Sequence, residues 1–390
     1  MSTRFSNLFK GFFDSEKVAG LLLVICTVIS LLIANSSIGE HYIHLVHRNL
    51  DLSFLNISLN YSVEHWVNDG LMAIFFLMVG LEVEREIYAG ELADFRKAIL
   101  PVAAAAGGIC IPALIHFSLN NGTPTASGFA IPMATDIAFA LGILALAGNK
   151  VPGSVKVFLT ALAIIDDIGA IIVIALFYTD TVLFNYLLVA GGILLSLFVL
   201  NRLKIRNLLF YIIPGIVMWY CFLKSGVHAT IAGVLLAFVI PFHKDDDENV
   251  SYQLQHFLHK PVAFIILPIF ALVNTAIRIP ANIIESLSSS NSLGIIIGLT
   301  IGKLLGIFIV PFLLVKAGIA QLQQGITWKN LAGIGLLGGI GFTMSMFISN
   351  LAFTDADVVS NAKLSILVAS TISAIAGLIL FRSNRNEGKV

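Results

Sequence analysis

Hydrophobic positions along this chain do not alternate with polar ones. They gather into twelve long apolar runs, near residues 18–35, 64–84, 98–118, 129–147, 156–178, 182–200, 207–223, 227–241, 257–277, 293–315, 330–352 and 363–381. A helix needs about 20 apolar residues to cross the ~30 Å hydrocarbon layer, so the pattern predicts twelve transmembrane helices. Gly, Pro, Asn and Ser mark most of the short connections, as turns require. The longest break reads differently. Leu50, Leu52 and Phe54 alternate with Asp51 and Ser53, and Ile57, Leu59 and Tyr61 alternate with Ser58 and Asn60. Period-two patterning on both sides of Leu55-Asn56 predicts a β-hairpin within residues 45–62. It fits either a loop ornament or an edge that pairs with a second copy of the chain.

Composition agrees with a membrane origin. Charged residues are 12% of the 390, against the ~25% usual in soluble domains. Apolar residues are 57%, and mean hydropathy is +0.93. The fold class is therefore an all-α polytopic membrane protein, one transmembrane domain over residues 1–390. Zero net charge argues against a nucleic-acid partner. Cys26, Cys110 and Cys221 all lie in apolar runs and show neither a disulfide framework nor a metal-ligand spacing, so no resident cofactor is expected. Arg4, Lys10 and Lys17 precede the first run as in a signal peptide, but ~17 apolar residues suit an uncleaved helix.

Basic residues set the orientation. With the N-terminus cytoplasmic, 18 of them fall inside: Arg4, Lys10, Lys17, Arg85, Arg96, Lys97, Lys150, Lys156, Arg202, Lys204, Arg206, Lys244, Lys260, Lys316, Lys329, Arg382, Arg385 and Lys389. Only Arg48, Lys224, Arg278 and Lys363 fall outside, and Lys303 stays in the membrane. Twelve spans then leave both termini cytoplasmic.

Two runs are ill suited to a continuous helix. In the fourth, Pro132 precedes Thr135-Asp136, which favour a helix start yet stand in mid-run. In the eleventh, Gly335, Gly338, Gly339 and Gly341 cluster within seven positions. Each interruption belongs to the middle member of a block of three, helices 3–5 (about 98–178) and 10–12 (about 293–382), and the blocks start on opposite sides. This predicts a core of inverted repeats with interrupted helices 4 and 11, flanked by a panel of the remaining helices. Interrupted helices expose positive N-ends and negative C-ends. Asp136 would offset the first, as cap or as part of an ion site, and Lys303 is a candidate to offset the second.

The costliest residues point to the chemistry. Asp166 and Asp167 stand together in the fifth run, and Lys303 in the tenth. Ionisable groups at bilayer depth are rare and mark ion or proton paths. Successive helical residues point ~100° apart, so the two aspartates cannot face one neighbour. One is expected to look into an ion cavity and the other toward an adjacent helix, with Lys303 as partner. Gly294, Gly298, Gly302 and Gly306 recur every four residues and predict a smooth stripe for close helix approach beside Lys303. Carboxylates, the Thr135 hydroxyl and freed carbonyls are the hard oxygens an alkali cation wants, and the same oxygens take protons. Competition for one site with alternating access is exchange.

Near the ends of the second run lie Asp69 and the Glu82–Arg85–Glu86 face, beside Glu84 and Glu91, which fit either a cation-gathering mouth or a solvated helix end. His228, His256 and His259 fit either a pH response or structural hydrogen bonding. Rival chemistries lack their motifs: no Gly-x-Gly-Asp of an intramembrane protease, and no third acid after Asp166-Asp167 for a diphosphate-metal enzyme. A proton-coupled solute carrier would want polar groups where Ile164, Ile165, Ile168 and Ile172 stand.

Ala134-Thr135-Asp136-Ile137-Ala138-Phe139-Ala140, Ala161-Leu162-Ala163-Ile164-Ile165-Asp166-Asp167, Val79-Gly80-Leu81-Glu82-Val83, Lys224-Ser225-Gly226-Val227-His228-Ala229-Thr230, Gly302-Lys303 and Gly338-Gly339-Ile340-Gly341-Phe342-Thr343-Met344-Ser345 are long, specific stretches. Over roughly residues 15–382 the chain resembles the bacterial NhaA-type Na⁺/H⁺ antiporters. The resemblance implies a pH-regulated antiporter of the bacterial inner membrane, not an enzyme, that exports Na⁺ or Li⁺ against more protons per cycle. It implies Asp167 as principal cation ligand, Asp166 as the proton-exchange partner paired with Lys303, and Thr135 and Asp136 at the helix crossing with Gly338 and Gly339. It further implies a cytoplasmic pH-response area with Glu82, Arg85, Glu86 and His256, and a homodimer formed through the hairpin. Three positions depart from the family pattern: Gln255 where a glutamate is familiar, Glu84 where a basic residue is, and Leu304 where a proline is.

Overall fold

In the computed structural model, residues 2–53, 58–148, 151–179, 182–242 and 249–383 are described, with side chains from residue 17 onward. Among the described residues, eight helices are long and apolar enough to cross a membrane: Lys17–Ala34, Val63–Ala89, Phe95–Asn120, Gly153–Phe177, Phe184–Arg202, Val250–Asn274, Ser290–Lys316 and Ala356–Ser383. Two further spans are bent pairs, Ala126–Met133 with Ile137–Leu146 (42°) and Trp328–Gly338 with Phe342–Ala352 (44°). These are the fourth and eleventh runs, interrupted where the sequence predicts. Leu209–Ser225 is an apolar helix of 17 residues. The eighth run is shorter than its apolar length suggests. It is helical only over Ile231–Ala237, because turns at His228–Thr230 and Phe238–Ile240 close it at both ends.

The hairpin forms, with strands Asn49–Asp51 and Asn60–Ser62 antiparallel. Its register pairs Asn49 with Ser62, Leu50 with Tyr61 and Asp51 with Asn60. That register is centred on Leu55-Asn56, which lie outside the described residues, as do Lys150, Lys244, Arg385 and Lys389. A short helix, Gly39–His47, precedes the hairpin; with three histidines and one glutamate in nine residues it makes no apolar run.

The chain divides into two compact units, residues 1–28, 94–170 and 277–390 in the first, and 29–93 with 171–276 in the second. Within the first, Phe158, Phe342, Phe347, Leu100 and Ile131 are fully buried. Its closest helix contact involves Phe95–Asn120 and Ser290–Lys316. A Cβ on Gly306 would lie 2.1 Å from the Gly107 carbonyl oxygen, and one on Gly107 would lie 2.3 Å from that of Gly306. Small residues permit such approach where lipid removes the hydrophobic drive between helices. The stripe Gly294–Gly298–Gly302–Gly306 therefore allows the close helix approach that the sequence predicts, and its partners are Phe95–Asn120 and Pro132. Within the second unit, Phe76, Met72, Tyr211 and Phe270 are fully buried. There a Cβ on Gly233 would meet the Ala73 carbonyl at 2.2 Å, which locks Ile231–Ala237 against Met72–Ala89. Oily faces remain exposed, as on Phe184–Arg202, where Leu188 and Leu195 point outward and only Ala190 and Leu197 are buried.

Candidate functional site

The two interrupted spans meet through their breaks. Ala134–Asp136 leaves the first helical half in extended conformation, since Pro132 and the capping preference of Asp136 both oppose continuation. Gly339–Gly341 interrupts the second span as a tight turn, with Gly339 and Gly341 near the right-handed helical region, and a Cβ on Gly339 would stand 2.2 Å from the Leu299 carbonyl oxygen. The backbone N–H of Asp136 donates to the Ile340 carbonyl at 2.7 Å, so each break supplies the other's missing hydrogen bond.

Asp136 caps two helices at once. Its Oδ1 accepts the Phe139 N–H at 2.9 Å, at the start of Ile137–Leu146. Its Oδ2 accepts the Thr343 N–H at 3.0 Å and the Thr343 hydroxyl at 2.6 Å, at the start of Phe342–Ala352. One carboxylate thus faces two positive helix ends. Thr343 is the second residue of its helix, two positions after Gly341, and that spacing after a glycine break is the signal in the sequence that marks it as a capping partner.

Asp166 and Lys303 are the other anchor. Both side chains are fully buried, and Lys303 Nζ donates to Asp166 Oδ2 at 2.5 Å. Lys303 follows directly on a π-helical turn, Gly298–Gly302, a widening of the kind that accumulates at functional sites. Its ammonium engages a carboxylate and not a helix C-end. The C-end of Trp328–Gly338 is served instead by Thr135, whose hydroxyl donates to the Gly338 carbonyl at 2.8 Å and lies 2.6 Å from Asp166 Oδ2. Thr135 therefore joins the aspartate–lysine pair to the broken helix. Asp166 Oδ1 is buried with no hydrogen-bond partner among the described residues. Asp167 is buried beside it, within electrostatic reach of Lys303.

Thr135, Asp136, Asp166, Asp167, Lys303, Gly338 and Gly339 thus all belong to the first unit. Asp69, Glu82, Arg85, Glu86, His228 and His256 belong to the second. There Asp69 sits 3.5 Å from His65, and Arg85 lies 3.6 Å from Glu82 and 3.3 Å from Glu86. The His228 ring nitrogen Nε2 is 2.6 Å from the Tyr178 carbonyl, and the His256 ring stacks on Tyr252. Glu84 is buried and accepts the Ser251 hydroxyl at 3.0 Å.

An all-oxygen set of the Asp166 and Asp167 carboxylates, the Thr135 hydroxyl and the Gly338 carbonyl suits a hard cation over a thiolate- or imidazole-loving metal. Comparison with known proteins agrees. Residues 10–381 match the family described as Na+/H+ antiporter 1. The chain is 56% identical to the Na(+)/H(+) antiporter NhaA of Flavobacterium psychrophilum over 374 residues, 96% of this chain and 95% of that protein. It is 55% identical to the protein of that name from Dechloromonas aromatica over 392 residues, 99% of each. Na(+)/H(+) antiporter NhaA 1 of Clostridium beijerinckii is 48% identical over 396 residues, 100% of this chain and 99% of that protein.

Proposed function

Because the chain belongs to the Na⁺/H⁺ antiporter 1 family, we propose that the aspartate–lysine cluster at its broken helices is where it exchanges Na⁺ for protons. It is a multi-pass bacterial membrane protein of a transporter family. The observation that carries the assignment is the buried Lys303–Asp166 contact, with the second Asp166 oxygen unpartnered among the described residues. Desolvating such charges costs several kcal/mol per ion, so a purely structural tie would be better replaced by apolar side chains. A tie that must break and re-form has reason to persist.

In this reading Asp167 is the principal ligand of Na⁺, and Asp166 contributes its open oxygen. Thr135 and the carbonyls at the breaks complete an oxygen shell. A cation arriving at Asp166 competes with the Lys303 ammonium, and protons compete with the cation for both carboxylates. Asp136 holds the two positive helix ends in register, so that a shift of one broken helix carries the other with it. Alternating access follows if each loading state favours a different arrangement of the breaks. Li⁺, with the same charge and chemistry, is a second substrate.

The finer assignments rest on the same reading. The protein lies in the inner membrane with both termini cytoplasmic, on the strength of the basic-residue bias. Glu82, Arg85, Glu86 and His256 tune the response to pH, and His228 with Asp69 lies toward the outer face. The hairpin supports a homodimer, since among the described residues its strands pair only with each other and leave an outer edge on each.

The test is collapse of an imposed pH gradient in everted vesicles on adding NaCl, LiCl or KCl. Wild type should respond to Na⁺ and Li⁺ but not K⁺, and Asp166→Asn and Asp167→Asn should each abolish the response. Substantial Na⁺-driven proton movement in either variant would remove that aspartate from the exchange.

A further inference from the structure

One cavity in the second unit is not used by the exchange chemistry. It has a volume of about 530 Å³ and is lined by Glu84, Tyr88, Phe198, Asn201, Arg202, Lys204, Phe238, Pro241 and Phe242. That size is typical of small-molecule sites, which run about 300–1,000 Å³. Its chemistry is sorted by sign. Glu84 is a buried carboxylate whose Oε2 is held by the Ser251 hydroxyl at 3.0 Å. Arg202 and Lys204 are exposed, at the end of Phe184–Arg202 and just past it. The Arg202 guanidinium is held over the Phe198 ring at 5.0 Å, and Tyr88 stacks on Phe242 at 5.6 Å.

We infer that this cavity binds the headgroup of an amine-bearing zwitterionic phospholipid, of the phosphatidylethanolamine class, from the leaflet on the Arg202 side. Each part of the lining selects against an alternative. A phosphate is recognised by Arg and Lys through charge-assisted hydrogen bonds. A purely anionic headgroup would then bring its negative charge toward Glu84, whereas a primary ammonium is attracted to it. The surrounding aromatic rings favour a cation as well. A choline headgroup offers the charge but no N–H donor for the Glu84 oxygen. Phe198 and Phe238 are 46% and 45% exposed, and they offer an apolar surface at the cavity for the acyl chains.

The experiment uses the delipidated full-length protein in detergent, titrated with phosphatidylethanolamine, phosphatidylcholine, phosphatidylglycerol and soluble glycerophosphoethanolamine, read by thermal shift and by native mass spectrometry. Phosphatidylethanolamine should bind at least fivefold tighter than either other lipid and should raise the unfolding temperature most. It should also bind tighter than glycerophosphoethanolamine, and equal affinity for the soluble headgroup would overturn the lipid assignment. Glu84→Gln keeps an acceptor for Ser251 and should erase the preference for ethanolamine over choline. Arg202→Gln with Lys204→Gln, both on the surface, should weaken ethanolamine and choline lipids alike. Equal binding of phosphatidylglycerol and phosphatidylethanolamine by wild type, or an unchanged ethanolamine preference in Glu84→Gln, would overturn the proposal.

Discussion

Replacing Lys303 by methionine separates the charge of this residue from its bulk. The side chain is fully buried and its Nζ donates to Asp166 Oδ2. Methionine keeps an unbranched stem in the slot, so little cavity is created and the loss is electrostatic. What remains is a buried carboxylate with the Thr135 hydroxyl on one oxygen and no partner among the described residues on the other. Removing one member of a buried ion pair costs about 3–5 kcal/mol. That is a drop of roughly two to more than three orders of magnitude in the folded-to-unfolded ratio, at ~1.4 kcal/mol per tenfold. Removing both charges should be far milder, because a neutral, well-packed pair is often no less stable than the ions. The Asp166→Asn/Lys303→Met double variant should therefore regain most of the loss. Equilibrium unfolding in mixed micelles can be followed by the fluorescence of Trp328. That residue packs between Phe308 and Phe312 of Ser290–Lys316 and so reports on the helix that carries Lys303. If the single variant stays within about 0.5 kcal/mol of wild type, the ordinary range for a surface change, the pair is not an uncompensated-charge trap. A double variant no more stable than the single would refute the reasoning equally.

Thr135→Val removes the hydroxyl shared by Asp166 and the Gly338 carbonyl and should cost about 1–3 kcal/mol along with apparent Na⁺ affinity. Thr135→Ser should restore both in the vesicle assay, and equal behaviour of the two variants would show that the hydroxyl is idle. Asp136→Asn must turn its amide either to the Thr343 donors or to the Phe139 N–H, so one cap faces a donor. A loss of about 0.5–2 kcal/mol is expected, and an unchanged melting curve would contradict the double-cap geometry. Gly306→Ala places a Cβ 2.1 Å from the Gly107 oxygen and should cost at least ~1–3 kcal/mol. Gly192→Ala, with nothing within 4 Å, is the control, and equal stability of the two would undo the close-approach argument. Gln255→Glu adds a carboxylate beside His256 and should keep exchange while moving its pH profile, measured from about pH 6 to 9 around the histidine range. Superimposed profiles would end the claim for this position.

The sequence carried the costs of this fold more openly than its directions. Charge in oil is expensive wherever it faces, so Asp166, Asp167 and Lys303 stood out, and Pro132 with Thr135-Asp136 marked a break that no neighbour could repair as helix. The apolar runs located the spans for the same reason. Azimuth was less legible. A step of ~100° per residue says that the two aspartates diverge, but only the packing decides that Asp166 is the one that meets Lys303. Nor could the glycine spacing name its partner. The stripe on Ser290–Lys316 rests on Phe95–Asn120, where Gly107 and Gly306 let two backbones touch. That contact continues beside the lysine. A Cβ on the adjacent Gly108 would lie 2.9 Å from Ile307 Cγ1, too close without a shift of that side chain, and 3.7 Å from Lys303 Cδ, in ordinary contact. The glycines of Phe95–Asn120 thus set how closely that helix approaches the one that carries Lys303, and its flank lines the lysine stem without crowding it.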